Sequence, residues 1–209
     1  MAEKTESMRK NPTQSRARQT IDDILEATAR IFEADLERGL NTNQVAEKAG
    51  VSIGTLYYYF PNKVSLLRAL AMREINRQEH LFVGAIAAAR SNGTSAIVRA
   101  IVREALTPLQ GRKELRRRLI GHAGFDPSVR GALNAALDRV TDSLLAAVQV
   151  DPACVSPERR FMLLRSMLGP IRAAALYEPD MLSSQLFEDE LVHHAILLLT
   201  ADMEPAKKA

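Results

Sequence analysis

The chain has 209 residues, of which 46% are hydrophobic and 25% are charged, a composition typical of a soluble globular protein of one or two domains. Its longest uncharged apolar stretch runs only from Leu81 to Ala89, whereas a membrane-spanning helix needs about 20 residues. The N-terminus is polar and lacks the apolar segment of a secretory signal. We therefore expect a cytoplasmic protein with no transmembrane segment.

The residue types present favour helices and argue against an enzyme. Ala, Leu, Arg and Glu are abundant, whereas there are only 10 Gly and 9 Pro, so we predict an all-α fold. Cys154 is the single cysteine, which excludes an internal disulfide and favours an inert thiol over a redox sensor. The sequence contains no nucleophile elbow, phosphate-binding loop, zinc-protease motif or dinucleotide fingerprint. We expect no enzymatic activity, no cofactor and no metal site.

Charge is distributed unevenly along the chain, although the net charge is only +3. Residues 1–20 carry five basic and two acidic side chains, residues 21–39 carry two and six, and residues 40–75 carry four and two. This pattern permits a nucleic-acid surface, but a solvated helix face gives similar values, so the prediction must rest on motif.

Apolar residues at spacings of three and four predict the first helix, which Gly39 ends. These residues are Ile21, Ile24, Leu25, Thr28, Ile31, Phe32 and Leu36. Thr42 is the expected N-cap of a second helix that extends to about Lys48, and Ser52 that of a third, from Ile53 to about Tyr59. Pro61 opens a long fourth helix, from about Asn62 to Ala89. Further helices are predicted near 94–107, 112–122, 127–149, 157–177 and 183–201.

Two short helices joined by a tight turn at Ala49-Gly50-Val51 are typical of a helix-turn-helix, whose second helix enters the DNA major groove. Many helical hairpins with a turn glycine bind nothing, so this arrangement alone is moderately specific. Leu56 and Phe60 are four residues apart and are expected to anchor the second helix inward. Residues 57–59 are three consecutive tyrosines, of which at least one must face outward.

The run AGVSIGTLYYYFPNKVSLL, together with Arg16 to Gln19, Ile24-Leu25, Phe32, Gly39, Thr42 and Val45-Ala46, resembles the TetR family of bacterial transcription regulators over residues 16–68. The resemblance implies a helix-turn-helix DNA-binding domain at 16–62 and a helical effector-binding and dimerisation domain at 63–202, flanked by a disordered arm (1–15) and a disordered tail (203–209). It also implies that DNA is contacted by Thr42, Ser52, Gly54, Thr55, Tyr57, Tyr58, Tyr59 and Lys63, with base readout mainly by Ile53, Thr55 and Tyr58.

Other roles remain open for several of these DNA-binding candidates. A tyrosine at these positions can be half-buried and pack against its own domain instead of contacting DNA, and Lys63 can be solvated without contacting a phosphate. Arg16 or Arg18 can reach an adjacent groove or belong to a tail without fixed contacts. Because the predicted recognition helix offers no Arg, Asn or Gln, specificity is expected to depend substantially on DNA shape.

The resemblance further implies that the second domain holds a small-molecule pocket. Arg165 and Arg172 lie among apolar residues and require an anionic partner if buried. That partner can be a ligand carboxylate or an Asp or Glu; alternatively, the two arginines lie at a solvated interface edge. Apolar residues at helical spacing are usually core residues, so core packing is favoured for the apolar candidates, and a satisfied or surface position for His122. The candidate pocket residues are Phe82, Ile86, Ile101, Leu119, His122, Phe125, Leu137, Met162, Arg165 and Arg172.

Apolar stripes on the last two long helices predict a four-helix dimer interface, unless they face their own core. The candidates are Phe161, Leu164, Leu168, Ile171, Ala175, Leu191, Ala195, Ile196 and Leu199. A bend is expected at Gly169-Pro170. Asp189 and His193, four residues apart, are expected to form an ion pair, and the basic run at Arg112 to Arg118 a solvated helix face rather than a second DNA contact.

We therefore expect a DNA-binding homodimer that represses transcription at a near-palindromic operator and is released by a small, largely apolar ligand. The alternative is a DNA-bound protein-interaction factor of the same fold that has no small-molecule inducer. Ligand-induced release of DNA discriminates the two.

Overall fold

The computed structural model describes residues 12–34, 40–107 and 126–200. These residues form α-helices joined by short turns, with no strand among them, which confirms the predicted all-α class. Short 3₁₀-helices at Arg90–Asn92, Pro152–Cys154 and Pro179–Ser183 lie between the later helices. The α-helices are α1 (Pro12–Ala34), α2 (Thr42–Lys48), α3 (Ile53–Tyr59), α4 (Lys63–Ala89), α5 (Thr94–Leu106), α6 (Pro127–Ala147), α7 (Pro157–Tyr177) and α8 (Gln185–Thr200).

The chain divides into two compact units between Leu70 and Ala71, inside helix α4. The division expected from the sequence, after residue 62, lies at the start of the same helix. The helix predicted at 112–122 lies outside the described residues, whereas α5 to α8 match the other predicted segments to within a few residues at each end.

Helix α1 buries one face in the core of the first unit, as its apolar spacing predicted. The buried residues of this face are Ile24, Leu25, Ala27, Thr28, Ala29, Ile31 and Phe32. The hydroxyl of Thr28 donates to the Ile24 carbonyl at 2.7 Å, which satisfies a polar group in the interior. Helix α1 packs on α2, and α2 on α3. Leu36 and Gly39 lie outside the described residues.

Helix α1 begins earlier than expected, at Pro12. Residues 12–15 are thus helical, although the sequence predicts a disordered arm there. Proline is favoured in the first turn of a helix, where its missing N–H has no intrahelical partner to lose. Arg16 and Arg18 are consequently exposed residues of a helix.

Helices α5 to α8 and the second half of α4 build the core of the second unit, with α8 packed on α5 and α7. Gly93, with φ of +87°, separates the turn after α4 from α5. The buried core residues are Phe82, Ile86, Ala89, Ile97, Val98, Ile101, Val102, Leu106, Leu137, Val140, Leu144, Leu145, Leu163, Leu164, Met167, Ile171, Leu191, Val192, Ala195 and Leu199. Among the described residues, no helix is both long and apolar enough to span a membrane.

Ion pairs join helices that are distant in sequence within the second unit. Arg99 of α5 donates to Glu188 at 2.7 Å and to Asp189 at 2.6 Å on α8, and Arg103 donates to Glu188 at 2.8 Å. The predicted pairing of Asp189 with His193 is therefore wrong, because Arg99 provides a stronger, charge-assisted partner from another helix.

Candidate nucleic-acid interface

The turn between α2 and α3 is closed by a Schellman motif. The N–H of Gly50 donates to the Glu47 carbonyl at 3.1 Å, and that of Val51 donates to the Ala46 carbonyl at 3.0 Å. Gly50 has φ of +68°, a conformation that favours glycine. This glycine therefore fixes the direction in which the chain enters α3.

Ser52 caps α3, as predicted. Its side chain accepts from the backbone N–H of Thr55 at 3.0 Å, and the hydroxyls of Ser52 and Thr55 share a hydrogen bond at 2.8 Å. Since only one of the two hydroxyls donates within this pair, one O–H remains for an external acceptor at the exposed start of the helix.

Helix α3 is held by one face and presents the other to solvent. Leu56 is buried within the helix and Phe60 directly after it, which confirms both predicted anchors. Tyr58 has 80% of its surface exposed, and its ring lies 5.0 Å from that of Tyr59 in an edge-to-face arrangement. Such a contact restrains two aromatic side chains without removing Tyr58 from the surface. The other exposed positions of α3 are Ile53, Gly54 and Tyr57.

Thr42 differs from its predicted position. Asn41 is the N-cap of α2, since its side chain accepts from the Asn43 N–H, and Thr42 is the first helical residue. Asn serves this position because its side-chain oxygen reaches an amide two residues on. Thr42 is only 7% exposed, and its hydroxyl lies 3.1 Å from that of the exposed Tyr57. The geometry places Thr42 behind the surface, where it orients Tyr57.

Lys63 is the exposed first residue of α4, and Asn62 precedes it as the cap. The Asn62 side chain accepts from the Ser65 N–H at 2.8 Å, while the Ser65 hydroxyl accepts from the Asn62 N–H at 3.2 Å. Pro61 thus precedes the cap instead of lying in the first turn, because Asn62 can accept from the helix amides and proline cannot. The first turn contains no acidic residue, so the positive helix end and the Lys63 ammonium favour an anion.

The candidate pocket residues do not share one environment. Phe82, Ile86, Ile101 and Leu137 belong to the core of the second unit. Met162 and Arg172 are exposed. Leu119, His122 and Phe125 lie outside the described residues, as does the basic run at Arg112 to Arg118.

Arg165 has protein partners on α6 and α7. Its guanidinium donates to Asp138 at 3.3 Å and to Asn134 at 3.2 Å, and lies 4.3 Å from the ring centroid of Phe161. Of the alternatives considered for this arginine, the structure provides an aspartate.

Most of the candidate dimer residues face the core of their own unit. Leu164, Ile171, Leu191, Ala195 and Leu199 are buried there, whereas Leu168, Ala175 and Ile196 are partly buried. Periodicity identifies an apolar stripe but not the partner that covers it. Phe161 alone among the candidates is exposed, and most of the apolar residues that share this exposure are not among the residues predicted for the dimer interface. We define the α7/α8 outer face as Phe161, Met162, Leu176, Tyr177, Leu186 and Leu197.

Comparison with known proteins finds matches to the N-terminal region of the chain. The family model described as "Bacterial regulatory proteins, tetR family" matches residues 24–70. The transcriptional repressor KstR of Mycolicibacterium smegmatis is 44% identical over 54 residues, which are 26% of this chain and 26% of the relative. The match thus spans about a quarter of that relative's length.

Two further matches extend beyond this region. The nucleoid occlusion factor SlmA of Actinobacillus pleuropneumoniae is 30% identical over 125 residues, 59% of this chain and 58% of the relative. A TetR transcriptional regulator from Rhodococcus sp. RHA1 has a crystal structure that matches with a TM-score of 0.57 at 25% identity, covering 90% of this chain and 98% of that one.

Proposed function

We propose that this chain, which belongs to the tetR family of bacterial regulatory proteins, is a cytoplasmic transcriptional repressor. In this proposal it binds a near-palindromic DNA operator as a homodimer, and a small, largely apolar ligand releases it. The observation that carries the proposal is the exposed face of α3, where Tyr58 is 80% exposed on a helix that buried Leu56 and Phe60 hold in place. A soluble domain gains no stability from an aromatic side chain so exposed, whereas DNA offers it phosphate and sugar.

Phosphate contacts are supported by the donors on α3 and at the start of α4. Ser52 and Thr55 together retain one O–H, Tyr57 projects its hydroxyl beside α2, and Lys63 adds a positive charge at the start of α4. Phosphate contacts of this kind fix the register of a protein on DNA without reading sequence.

Base recognition falls in this proposal on Ile53, Thr55 and Tyr58. Ile53 is 39% exposed, and its methyl groups suit the thymine C5-methyl. Since α3 has no Arg, Asn or Gln, bidentate recognition of guanine or adenine is unavailable to it. Sequence-dependent DNA shape then contributes a large share of specificity, with Arg16 and Arg18 able to enter a narrow minor groove.

Dimerisation is supported by the α7/α8 outer face, which exposes six large apolar residues on two neighbouring segments. A two-fold axis through this face would present two copies of α3 to a palindromic site. Ligand release rests on the resemblance to TetR proteins and requires that the ligand bind the DNA-incompetent state more tightly.

A second candidate function is a DNA-bound protein-interaction factor. It is favoured by the match to a nucleoid occlusion factor, which extends over 125 residues, whereas that to the KstR repressor covers 54. In this case DNA occupancy would be unaffected by small molecules, and a protein partner would bind the DNA-bound form.

Selection of binding sequences from a random DNA pool tests the proposal, followed by sedimentation of the complex with the selected DNA. The repressor proposal predicts a two-fold symmetric sequence that binds two chains. Selection of no preferred sequence, or binding of a single chain to an asymmetric site, would contradict it. The second candidate would be supported by a different result. In that case the chain selects such a sequence, stays bound to it when a metabolite extract is added, and retains a protein partner while bound to DNA.

A further inference from the structure

Buried polar side chains of the second unit differ in how their hydrogen bonds are satisfied. Thr141 is fully buried in α6, and its hydroxyl donates to the Leu137 carbonyl at 2.8 Å. Gln78 of α4 is different, because both polar atoms of its side-chain amide are buried and neither has a hydrogen-bond partner. The amide thus has unused donors and an unused acceptor inside the protein.

An amide buried in this way is unfavourable for folding, because the hydration it loses is not replaced. In folded proteins such groups are few, and they mark ordered water, a ligand or a functional role. A helix position facing an apolar core is otherwise filled by a residue such as Leu or Met at no comparable cost. The exception at Gln78 therefore points to a bound molecule.

The surroundings of Gln78 indicate what that molecule is like. Glu74, Gln78, Phe82 and Ile86 follow one another at intervals of four and lie on one face of α4. Phe82 and Ile86 belong to the apolar core, so a molecule that reaches the amide along this face meets hydrocarbon. Glu74 is a buried acid, 3.5 Å from Arg73. Because the Arg73 guanidinium already has Glu74 as a carboxylate partner, a ligand carboxylate entering here would lose its hydration and would have to compete with Glu74 for that cation.

We propose that the Gln78 amide anchors the effector, and that the effector carries an uncharged group with a hydrogen-bond donor next to an acceptor, such as a carboxamide, on an apolar body. Two amides pair through reciprocal N–H to C=O hydrogen bonds, which satisfy both polar atoms of Gln78 at once. This inference rests on the proposed function, a regulator that a ligand releases from DNA. It adds the chemical class of that ligand, and it names Gln78 as the residue that distinguishes an amide from an ester or a carboxylate.

Three probes with the same alkyl chain test this proposal: octanamide, octanoate and methyl octanoate. The amide has a donor and an acceptor, the ester only acceptors, and octanoate a negative charge. We expect octanamide to raise the Tm of the full chain and to weaken its binding to a selected operator. The other two probes are expected to bind about tenfold less tightly, the change that the loss of one well-formed buried hydrogen bond produces.

Gln78→Met is the informative variant because methionine has nearly the same shape and no polar group to satisfy. We expect it to raise the Tm without ligand by about 2 to 4 °C and to lower octanamide affinity about tenfold. Asn76→Met on the exposed side of the same helix is the matched control, and it should change neither quantity.

Two outcomes would overturn the inference. The first is a lower Tm in Gln78→Met than in the natural protein. The second is a change in the Tm or DNA binding of the natural protein that is no larger with octanamide than with methyl octanoate or octanoate, including no change with any of the three. Either outcome leaves the affinity of the unliganded chain for its operator unchanged. Failure of the proposed function is distinct, because it appears as the absence of sequence-specific DNA binding before any probe is added.

Discussion

The side-chain hydroxyls of Thr42 and Tyr57 lie 3.1 Å apart, and their hydrogen bond joins the first turn of α2 to the exposed face of α3. Thr42 is buried and Tyr57 is 44% exposed, so only Tyr57 is accessible to a partner outside the protein. The buried hydroxyl restrains the exposed one, whose ring would otherwise be free to rotate away. A residue that does not reach the surface thereby controls one that does.

Replacing Thr42 by Val should weaken operator binding although the residue is buried. Valine has the shape of threonine but no hydroxyl, so the fold is retained and the Tyr57 hydroxyl loses its partner. We expect affinity to fall about two- to tenfold, the usual range for one hydrogen bond. Fluorescence anisotropy with operator DNA measures this change.

A double-mutant cycle distinguishes orientation from direct contact. If Thr42 acts through Tyr57, then Thr42→Val combined with Tyr57→Phe should cost little more than Tyr57→Phe alone. Tyr58→Phe is the control, since it should add its effect independently to that of Thr42→Val. Additive effects in both pairs would show that Thr42 acts separately from Tyr57.

Gly54→Ala separates folding from DNA binding. An added Cβ would lie 3.7 Å from the Ser52 hydroxyl oxygen, an ordinary contact, so α3 accommodates it. The variant should be slightly more stable, because alanine is a better helix former by about 0.5 to 1 kcal/mol. DNA affinity should nevertheless fall if the helix backbone approaches DNA closely at this position. Thermal unfolding and anisotropy together measure both effects.

The matched control for this variant is Gly84→Ala, at an exposed glycine of α4 with open space around the added group. It should give a similar gain in stability with unchanged DNA affinity. Wild-type affinity in Gly54→Ala would show that DNA does not approach the helix there.

Lys63→Ala should lower DNA affinity equally for operator and non-operator sequences. Because one phosphate contact is lost, the slope of log affinity against log salt should decrease by about one. Arg130→Ala removes the same charge from the exposed surface of α6 and should leave the slope unchanged. Equal slopes for Lys63→Ala and the natural protein would place Lys63 outside the interface.

The parts of the interface predicted from sequence are those set by near neighbours along the chain. The bounds of α3, the Ser52 cap and the Leu56 and Phe60 anchors depend on interactions over three or four residues, and all are present. The cap of α2 was missed because Asn41 and Thr42 are adjacent and both types cap helices. Only the backbone at Asn41, extended with ψ of 112°, distinguishes them.

Contacts between helices that are distant in the sequence could not be predicted from the spacing of neighbouring residues. Nothing near Arg99 in the sequence indicates that it meets Glu188 and Asp189, 89 and 90 residues later. The prediction of the dimer interface is limited for the same reason. Leu197 and Leu199 lie on one apolar helix, yet they are 51% and 6% exposed. Apolar spacing identified the helix, but which of its faces meets the core depends on tertiary packing.

This difference makes Leu197→Glu a test of the α7/α8 outer face. A charge at this exposed position should be tolerated in the folded chain but disfavoured in an apolar interface, so the dimer should dissociate with helicity retained. Leu199→Glu is the contrasting control and should unfold the second unit, since it buries a charge. Sedimentation and circular dichroism report the two effects. A Leu197→Glu variant that remains dimeric would place the interface elsewhere.

The ion pairs of Glu188 should make stability depend on pH. Burial alone would raise the pKa of Glu188, but hydrogen bonds from Arg99 and Arg103 outweigh it and hold the pKa below the ordinary 4.5. For a carboxyl with a lowered pKa, the stabilisation is present above the unfolded value and is lost as pH falls through the folded value. Stability should therefore fall progressively below about pH 5.

Glu188→Gln should reduce this acid dependence and lower the Tm at neutral pH, because Arg99 and Arg103 lose a charged acceptor. Glu190→Gln, at an exposed neighbouring position, should change neither value appreciably. Thermal unfolding between about pH 3 and pH 7 provides the comparison. Equal acid dependence in Glu188→Gln and the natural protein would assign the effect to other carboxylates.

Sequence-specific DNA binding through α3 is best measured by anisotropy titration of the DNA immediately upstream of the chain's own gene. A scrambled fragment and two salt concentrations are required, because non-specific binding is also strong at low salt. The natural protein is expected to bind the upstream fragment well above the scrambled one at both salts, and the Tyr57→Phe/Lys63→Ala variant to bind both fragments more weakly than the natural protein does. Equal binding of both fragments by the natural protein, or unchanged affinity of the variant for the upstream fragment, would contradict recognition through this surface.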